Sequence, residues 1–123
     1  MLSDSPLIRA VIVLAVTCWV WSAEAQAHAK LMSTEPAPNA SVAAPPMIRL
    51  RFSEDISKSF SAFNVKRADG TNVNLRPIAS EDPKTLEAVP ETAMGQGIYT
   101  VSWSAVSTDD GHKTSGQYTF IVK

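Results

Sequence analysis

Two histidines and an Asp-x-His spacing are the features of this sequence that best suit metal binding. His112 follows Asp110 by two positions in the stretch STDDGHKTSG, and Gly111 between them allows a bend that aims both side chains the same way. An imidazole and a carboxylate are both ligands for divalent transition metals. Asp-Gly is also a common turn dipeptide, so the pair by itself is a weak signal. Asp109 leaves the choice of carboxylate open, although the two-residue spacing favours Asp110.

The other histidine, His28, follows a stretch that is typical of a secretion signal. Ala10–Trp21 is an apolar run, shorter than the roughly 20 residues that a transmembrane helix needs. Ala25 and Ala27 are the small residues that signal peptidase accepts, which predicts cleavage before His28. Cuts after Ala25 or Ala29 are alternatives, and so is an uncleaved membrane anchor. We therefore predict a signal peptide at 1–27 and a single domain at 28–123.

Cleavage before His28 creates a metal ligand that the precursor lacks. An N-terminal histidine carries an α-amine and an imidazole Nδ1, which can close a chelate ring on one ion. Their ordinary pKa values are about 8 and about 6.5, so a metal can displace both protons at neutral pH. With Asp110 and His112 the set becomes three nitrogens and one carboxylate oxygen, which suits tetragonal Cu(II). We predict one Cu(II) per chain on these three residues.

The composition limits which other partners the domain can have. Of eleven Lys and Arg, only Arg9 falls in the predicted leader; of twelve Asp and Glu, only Asp4 and Glu24 do, so the domain carries ten of each. This balance excludes a basic stripe for nucleic acid. The single cysteine, Cys18, lies in the leader, so the domain has no thiolate site. We expect a monomer that binds a copper ion and no nucleic acid.

Period-two patterning predicts an all-β domain. MIRLRF, SAFNVKR, GIYTVSWSAV and SGQYTFIVK alternate apolar and polar residues, and Asp69-Gly70 predicts a tight hairpin leading into NVNLRP. About seven short strands in under 100 residues favour a small Greek-key β-sandwich or barrel, immunoglobulin-like or cupredoxin-like. Ala37–Pro46 is predicted as an exposed loop. Ser53–Phe60 is the one stretch that could form a helical turn, and Trp103 and Phe120 are predicted core residues.

Several stretches resemble the CopC family of periplasmic copper-resistance proteins: HAKL, RFSEDI, GIYTVSWSAVSTDDGH and SGQYTFIVK. The resemblance covers essentially all of 28–123 and implies a Greek-key β-barrel that holds Cu(II) on His28, His112 and Asp110. It also implies that Glu54 is a carboxylate near the copper, the alternative being a solvated or helix-capping glutamate. The middle of the domain lacks the methionine-rich stretch of members with a Cu(I) site, so the chain resembles the Cu(II)-only type.

The function predicted from this resemblance is a non-catalytic periplasmic carrier or buffer for Cu(II), serving copper resistance or homeostasis. It would hand the ion to an inner-membrane copper transport protein, CopD-like in character. A copper monooxygenase with a histidine brace is one alternative, disfavoured by small size and by a carboxylate where oxygen chemistry needs an open position. A metal-free immunoglobulin-like interaction module is another, since sandwich folds host many functions.

Overall fold

The computed structural model describes residues 28–123, and the predicted signal peptide, 1–27, lies outside them. The described chain forms eight strands and no helix. They are β1 (Leu31–Glu35), β2 (Ser41–Val42), β3 (Ile48–Phe52), β4 (Ala62–Arg67), β5 (Leu75–Ile78), β6 (Thr85–Pro90), β7 (Gly97–Val106) and β8 (Lys113–Val122). Within these residues there is accordingly no helix that could span a membrane.

The strands form two four-stranded sheets, in the orders β1-β3-β6-β5 and β2-β8-β7-β4. All pairings are antiparallel except that of β2 with β8. The predicted all-β sandwich is therefore confirmed. The strand beyond the predicted seven is β2, which lies inside the segment predicted as a loop and pairs Ser41 with Ile121.

The core lies between the two sheets and follows the period-two pattern of the sequence. Alternate residues of the long strands point inward because successive side chains of a strand face opposite sides. The most completely buried large side chains are Phe52, Phe120, Ile48, Leu50, Val65 and Val101. Phe120, a predicted core residue, stacks on Tyr99 with ring centroids 5.5 Å apart. Trp103, the other predicted core residue, is partly buried and packs edge to face on Phe52, with ring centroids 5.3 Å apart.

Two local predictions differ from the structure. Ser53–Phe60 is a loop with one hydrogen-bonded turn, from the Phe60 N–H to the Ser57 carbonyl, rather than a helical turn. The Asp69-Gly70 turn does form, with Gly70 at φ +88°, but its two arms share only the isolated bridge Lys66–Asn72. The chain then crosses to the other sheet, because β4 and β5 belong to different sheets. In both places tertiary packing overrides the local signal.

The strand register places both histidines at the same end of the sandwich. The β7–β8 hairpin is paired over ten positions up to Val106 and Lys113, so the loop 107–112 closes its end. In the other sheet Leu31 pairs with Phe52 at the end of β3, and the bridge between Ile56 and Ser107 connects the chain just beyond β3 to that loop. The side chain of Thr114 donates to the Ala29 carbonyl across the gap between the sheets (2.8 Å).

Candidate metal centre

The loop 107–112 is shaped by its own backbone hydrogen bonds. The Ser107 N–H donates to the His112 carbonyl, and the Gly111 N–H donates to the Ser107 carbonyl, both at 3.0 Å. Gly111 adopts φ +71°, a conformation that residues with a Cβ rarely take. The His112 N–H donates to Asp110 Oδ1 (3.0 Å), which turns the aspartate back toward the histidine that follows it. The bend predicted from the Asp-Gly-His spacing is thus present.

His28 is positioned by the three residues that follow it rather than by a strand ladder, because β1 begins only at Leu31. Ala29 is 1% exposed and belongs to the core, and its carbonyl accepts the Thr114 hydroxyl. The Lys30 N–H donates to Ser53 Oγ (2.9 Å), and the Ser53 N–H donates back to the Lys30 carbonyl (2.8 Å). Burial and three hydrogen bonds therefore fix the backbone next to His28.

These two segments bring His28, Asp110 and His112 together. Asp110 Oδ2 lies 3.0 Å from His112 Nδ1 and 3.7 Å from His28 Nδ1. The imidazole centroids are 4.4 Å apart at an interplanar angle of 73°. One nitrogen or oxygen from each residue lies within 4.8 Å of the others, and this is the group of metal-ligating side chains found in 28–123. Asp109, the alternative carboxylate, is not part of the group.

The donor atoms of the group fit a divalent cation. His28 Nδ1 is buried and has no hydrogen-bond partner, since 3.7 Å to Asp110 is too long for one. Buried polar atoms are normally partnered, so this nitrogen has a vacant lone pair or N–H directed into the group. Two ligand atoms that each lie about 2 Å from one ion are about 3 Å apart. The distances of 3.0 Å and 3.7 Å from Asp110 Oδ2 to the two imidazole nitrogens are close to this value. The three side chains are 35%, 26% and 64% exposed for His28, Asp110 and His112, which leaves the site open to an ion from solvent.

Hydrogen bonding lowers the pKa of Asp110 and so favours the charged form that binds a metal. The backbone N–H of His112 lowers the pKa of this carboxyl most, the His112 side chain adds to the effect, and the more distant His28 contributes least. A carboxylate that accepts such bonds favours its ionised state. Asp110 therefore presents a negative oxygen to both imidazoles at neutral pH.

Glu54 lies behind the group rather than in it. Its carboxylate accepts a hydrogen bond from the Ser107 hydroxyl (3.0 Å), and that hydroxyl accepts one from the Asp109 N–H (3.3 Å). Ser107 is 1% exposed, so this is a buried link between the 53–61 loop and the base of the metal-binding loop. A second link comes from the Thr108 N–H, which donates to the Asp55 carbonyl (3.1 Å).

Ser107, Thr114 and Ser53 are residues of the site that the sequence analysis did not single out. Ser107 continues the inward-facing series of β7, and Thr114 continues that of β8, where Tyr118 and Phe120 are buried. A polar residue on an otherwise apolar strand face was the available signal.

The described domain also has an apolar cavity away from this group. It has a volume of about 510 Å³ and opens between the edge strands β4 and β5, with Phe63, Leu75, Ile78 and Leu86 among its lining residues. None of the three clustered residues lines it. The metal-ligating group is therefore a surface site at the end of the sandwich and not part of an internal pocket.

With the fold and the group defined, the chain can be compared with known proteins. The family model for the CopC domain matches residues 31–123. The chain belongs to the CopC family. The family resemblance predicted from the sequence is thereby confirmed.

Two similar proteins align with most of the chain. Protein YobA of Escherichia coli K12 is 41% identical over 111 residues, covering 88% of this chain and 85% of its own length. Copper resistance protein C of Pseudomonas syringae pv. tomato is 38% identical over 109 residues, covering 83% and 86%. Two relatives therefore match across essentially the full domain, and one of them carries copper resistance in its name.

Solved CopC structures share the sandwich. The crystal structure of PcoC, a methionine-rich copper resistance protein from Escherichia coli, superposes with a TM-score of 0.72 at 35% identity, covering 79% of this chain and all of PcoC. The crystal structure of CopC from Methylosinus trichosporium OB3b superposes with a TM-score of 0.71 at 28% identity, covering 78% of this chain and 94% of that CopC. In contrast to PcoC, which is described as methionine-rich, this chain has four methionines in all.

Proposed function

We propose that this chain is a copper-binding protein of copper resistance or homeostasis that takes up one Cu(II) per molecule. Its ligands are the α-amine and Nδ1 of His28, Nδ1 of His112 and a carboxylate oxygen of Asp110. The observation that carries the proposal is the buried, unpartnered His28 Nδ1 facing Asp110 and His112. The names of the copper resistance relatives support the choice of copper.

The donor set supports Cu(II) over other ions. Nδ1 is the imidazole nitrogen that can close a six-membered chelate ring with the α-amine of the same residue, and it is the nitrogen of His28 that faces the group. Three nitrogens and one oxygen favour tetragonal Cu(II), which also heads the affinity order of divalent first-row ions. Cu(I) prefers thioethers and thiolates. Met94 is buried in the core and Met32 is exposed on β1, so these two thioethers do not form a cluster.

A carrier or buffer fits this site better than an enzyme. A copper oxygenase needs an open equatorial position for oxygen, and here the Asp110 carboxylate stands beside both imidazoles. The exposed His112 ring lets the ion enter and leave. Copper is therefore cargo, and the protein acts by binding it tightly and releasing it to a partner.

We place the protein in the periplasm, where signal peptidase would free the His28 amine. We further propose an inner-membrane copper transport protein, CopD-like in character, as the recipient or donor of the ion, and a monomeric carrier. Glu54 acts through Ser107 by holding the loop that carries Asp110 and His112.

A titration of the mature protein, beginning at His28, with Cu(II) in the presence of a competing chelator tests the proposal. Removal of the leader also removes Trp19 and Trp21, so Trp103 remains as the single tryptophan and reports binding by its fluorescence. We expect one tight equivalent. No binding would leave the metal-free interaction module as the better interpretation, and binding unchanged in His112→Ala would show that His112 is not a ligand.

A further inference from the structure

Thr114 connects the N-terminal segment to the strand that follows the metal-binding loop. Its hydroxyl donates to the Ala29 carbonyl at 2.8 Å, across 85 positions of sequence. Thr114 lies on β8 two residues after His112, and its backbone pairs with Ala105 of β7. One side chain therefore joins the element that carries His112 to the residue next to His28.

Besides this bond, the burial of Ala29 and the two hydrogen bonds between Lys30 and Ser53 hold the N-terminal segment. Residues 28–30 precede the β1 ladder, and chain termini that lack such pairing fray. The Lys30 N–H that donates to Ser53 Oγ belongs to the same peptide group as the Ala29 carbonyl, and the Lys30 carbonyl that accepts the Ser53 N–H lies one peptide further from His28. The Thr114 and Ser53 side chains thus hold the same peptide group, and Thr114 is the one of the two that lies on the strand following His112.

We propose that Thr114 is a positioning residue for copper. By fixing the Ala29 carbonyl, it sets the direction in which the α-amine and Nδ1 of His28 leave the fold, toward Asp110 and His112. The inference rests on the proposed function. Holding a ligand in its bound geometry before the ion arrives removes an entropic cost from binding.

A purely structural role for Thr114 makes a different prediction, and Thr34 provides the matched control. Thr34 is a buried threonine of β1 whose hydroxyl also donates to a backbone carbonyl, that of Pro36, at 2.7 Å. It lies further along β1, away from His28. Thr34→Val and Thr114→Val each remove one hydroxyl donor and keep the side-chain volume, so a purely structural effect would be similar in both.

The test compares Cu(II) affinity and thermal stability in the mature protein and its variants. We expect Thr114→Val to weaken Cu(II) binding about tenfold, the size of one net hydrogen bond. Thr114→Ser keeps the hydroxyl and should restore most of the affinity. Thr34→Val should lower the melting temperature comparably and leave the affinity unchanged.

The effect of Thr114→Val in a protein with one extra N-terminal glycine shows whether Thr114 acts through the α-amine of His28. When one glycine is added before His28, the amine is no longer that of the histidine, and the penalty of Thr114→Val should shrink. An equal penalty in both backgrounds would contradict positioning of the amine, as would wild-type affinity in Thr114→Val or an equal affinity loss in Thr34→Val. Failure of the proposed function is distinguishable, because the wild-type protein itself would then bind no Cu(II).

Discussion

The imidazoles of His28 and His112 lie edge to face with centroids 4.4 Å apart, although the two residues stand near opposite ends of the described chain. Two features bring the imidazoles together: the burial of Ala29 and the end of the β7–β8 hairpin. Ala29 is buried beneath one, and the β7–β8 hairpin ends beneath the other. The metal-ligating group is therefore made of His28, which precedes β1, and of two residues in the loop 107–112 between β7 and β8.

The three clustered side chains should contribute unequally to copper binding. His112→Ala removes a nitrogen ligand and should weaken Cu(II) binding by about two orders of magnitude or more. Asp110→Ala should cost less, because water can occupy the vacated position. Asp109→Ala is the matched control, since Asp109 is a neighbouring acid outside the group. Competition titration measures all three, and an Asp109→Ala loss larger than that of Asp110→Ala would reassign the carboxylate ligand.

Ser107 and Glu54 should behave as a coupled pair. Ser107→Ala leaves the Glu54 carboxylate without its hydrogen bond and should lower the free energy of unfolding by about 1–3 kcal/mol. Glu54→Ala should have a similar effect, and the double variant should lose less than the sum of the two. Glu54→Gln keeps an acceptor oxygen and should be milder. Urea unfolding of the four variants gives the coupling, and additive losses would show that the link contributes nothing.

Acid should destabilise the metal-free protein through its hydrogen-bonded aspartates. The Lys84 N–H and the Thr85 hydroxyl lower the pKa of Asp82 from 3.8, and Arg51 adds to this. A folded-state pKa below the unfolded value stabilises the fold above pH 3.8, and this contribution is lost as pH falls through the folded-state pKa. Asp82→Asn should therefore reduce the difference in unfolding free energy between about pH 7 and about pH 3. An unchanged pH dependence in Asp82→Asn would contradict this assignment.

The close approach of Gly116 to Trp103 should make this glycine hard to replace. A Cβ at position 116 would lie 2.9 Å from Trp103 Cζ2. Gly116→Ala must displace the indole and should destabilise the domain by about 1–3 kcal/mol. Gly95→Ala is the control, because nothing lies within 4 Å of its Cβ position. Equal melting temperatures for the two variants would show that the indole moves freely.

The sequence predicted the sandwich because its signal is local and repeated. Alternation in the long strands places Val101 and Phe120 inward without any knowledge of their partners. The two-residue strand β2 was not predicted, because it depends on a parallel pairing with Ile121 at the far end of the chain. Such pairings have no local periodicity.

The three clustered residues of the site were predictable from the sequence, whereas the residues that hold them in place were not. His28, Asp110 and His112 could be named from residue type and spacing, and the structure brings them together. Ser107 and Thr114 could not be predicted as the residues that position this group, because their hydrogen-bond partners are distant in sequence. The partner of Ser107 lies 53 positions away and that of Thr114 lies 85 positions away. A hydroxyl on a strand face shows in the sequence, whereas its distant acceptor does not.

The N-terminal amine is the central claim of this account, and one added residue tests it. A glycine before His28 turns the amine into an amide, which stays protonated at neutral pH and is a poor ligand until a metal displaces its proton. A glycine added after Lys123 is the matched control. Competition titration should show Cu(II) binding weakened by orders of magnitude in the first variant, each tenfold step being about 1.4 kcal/mol, and unchanged binding in the second. Equal affinities of the mature protein and the variant with glycine before His28 would show that His28 does not bind copper through its terminus.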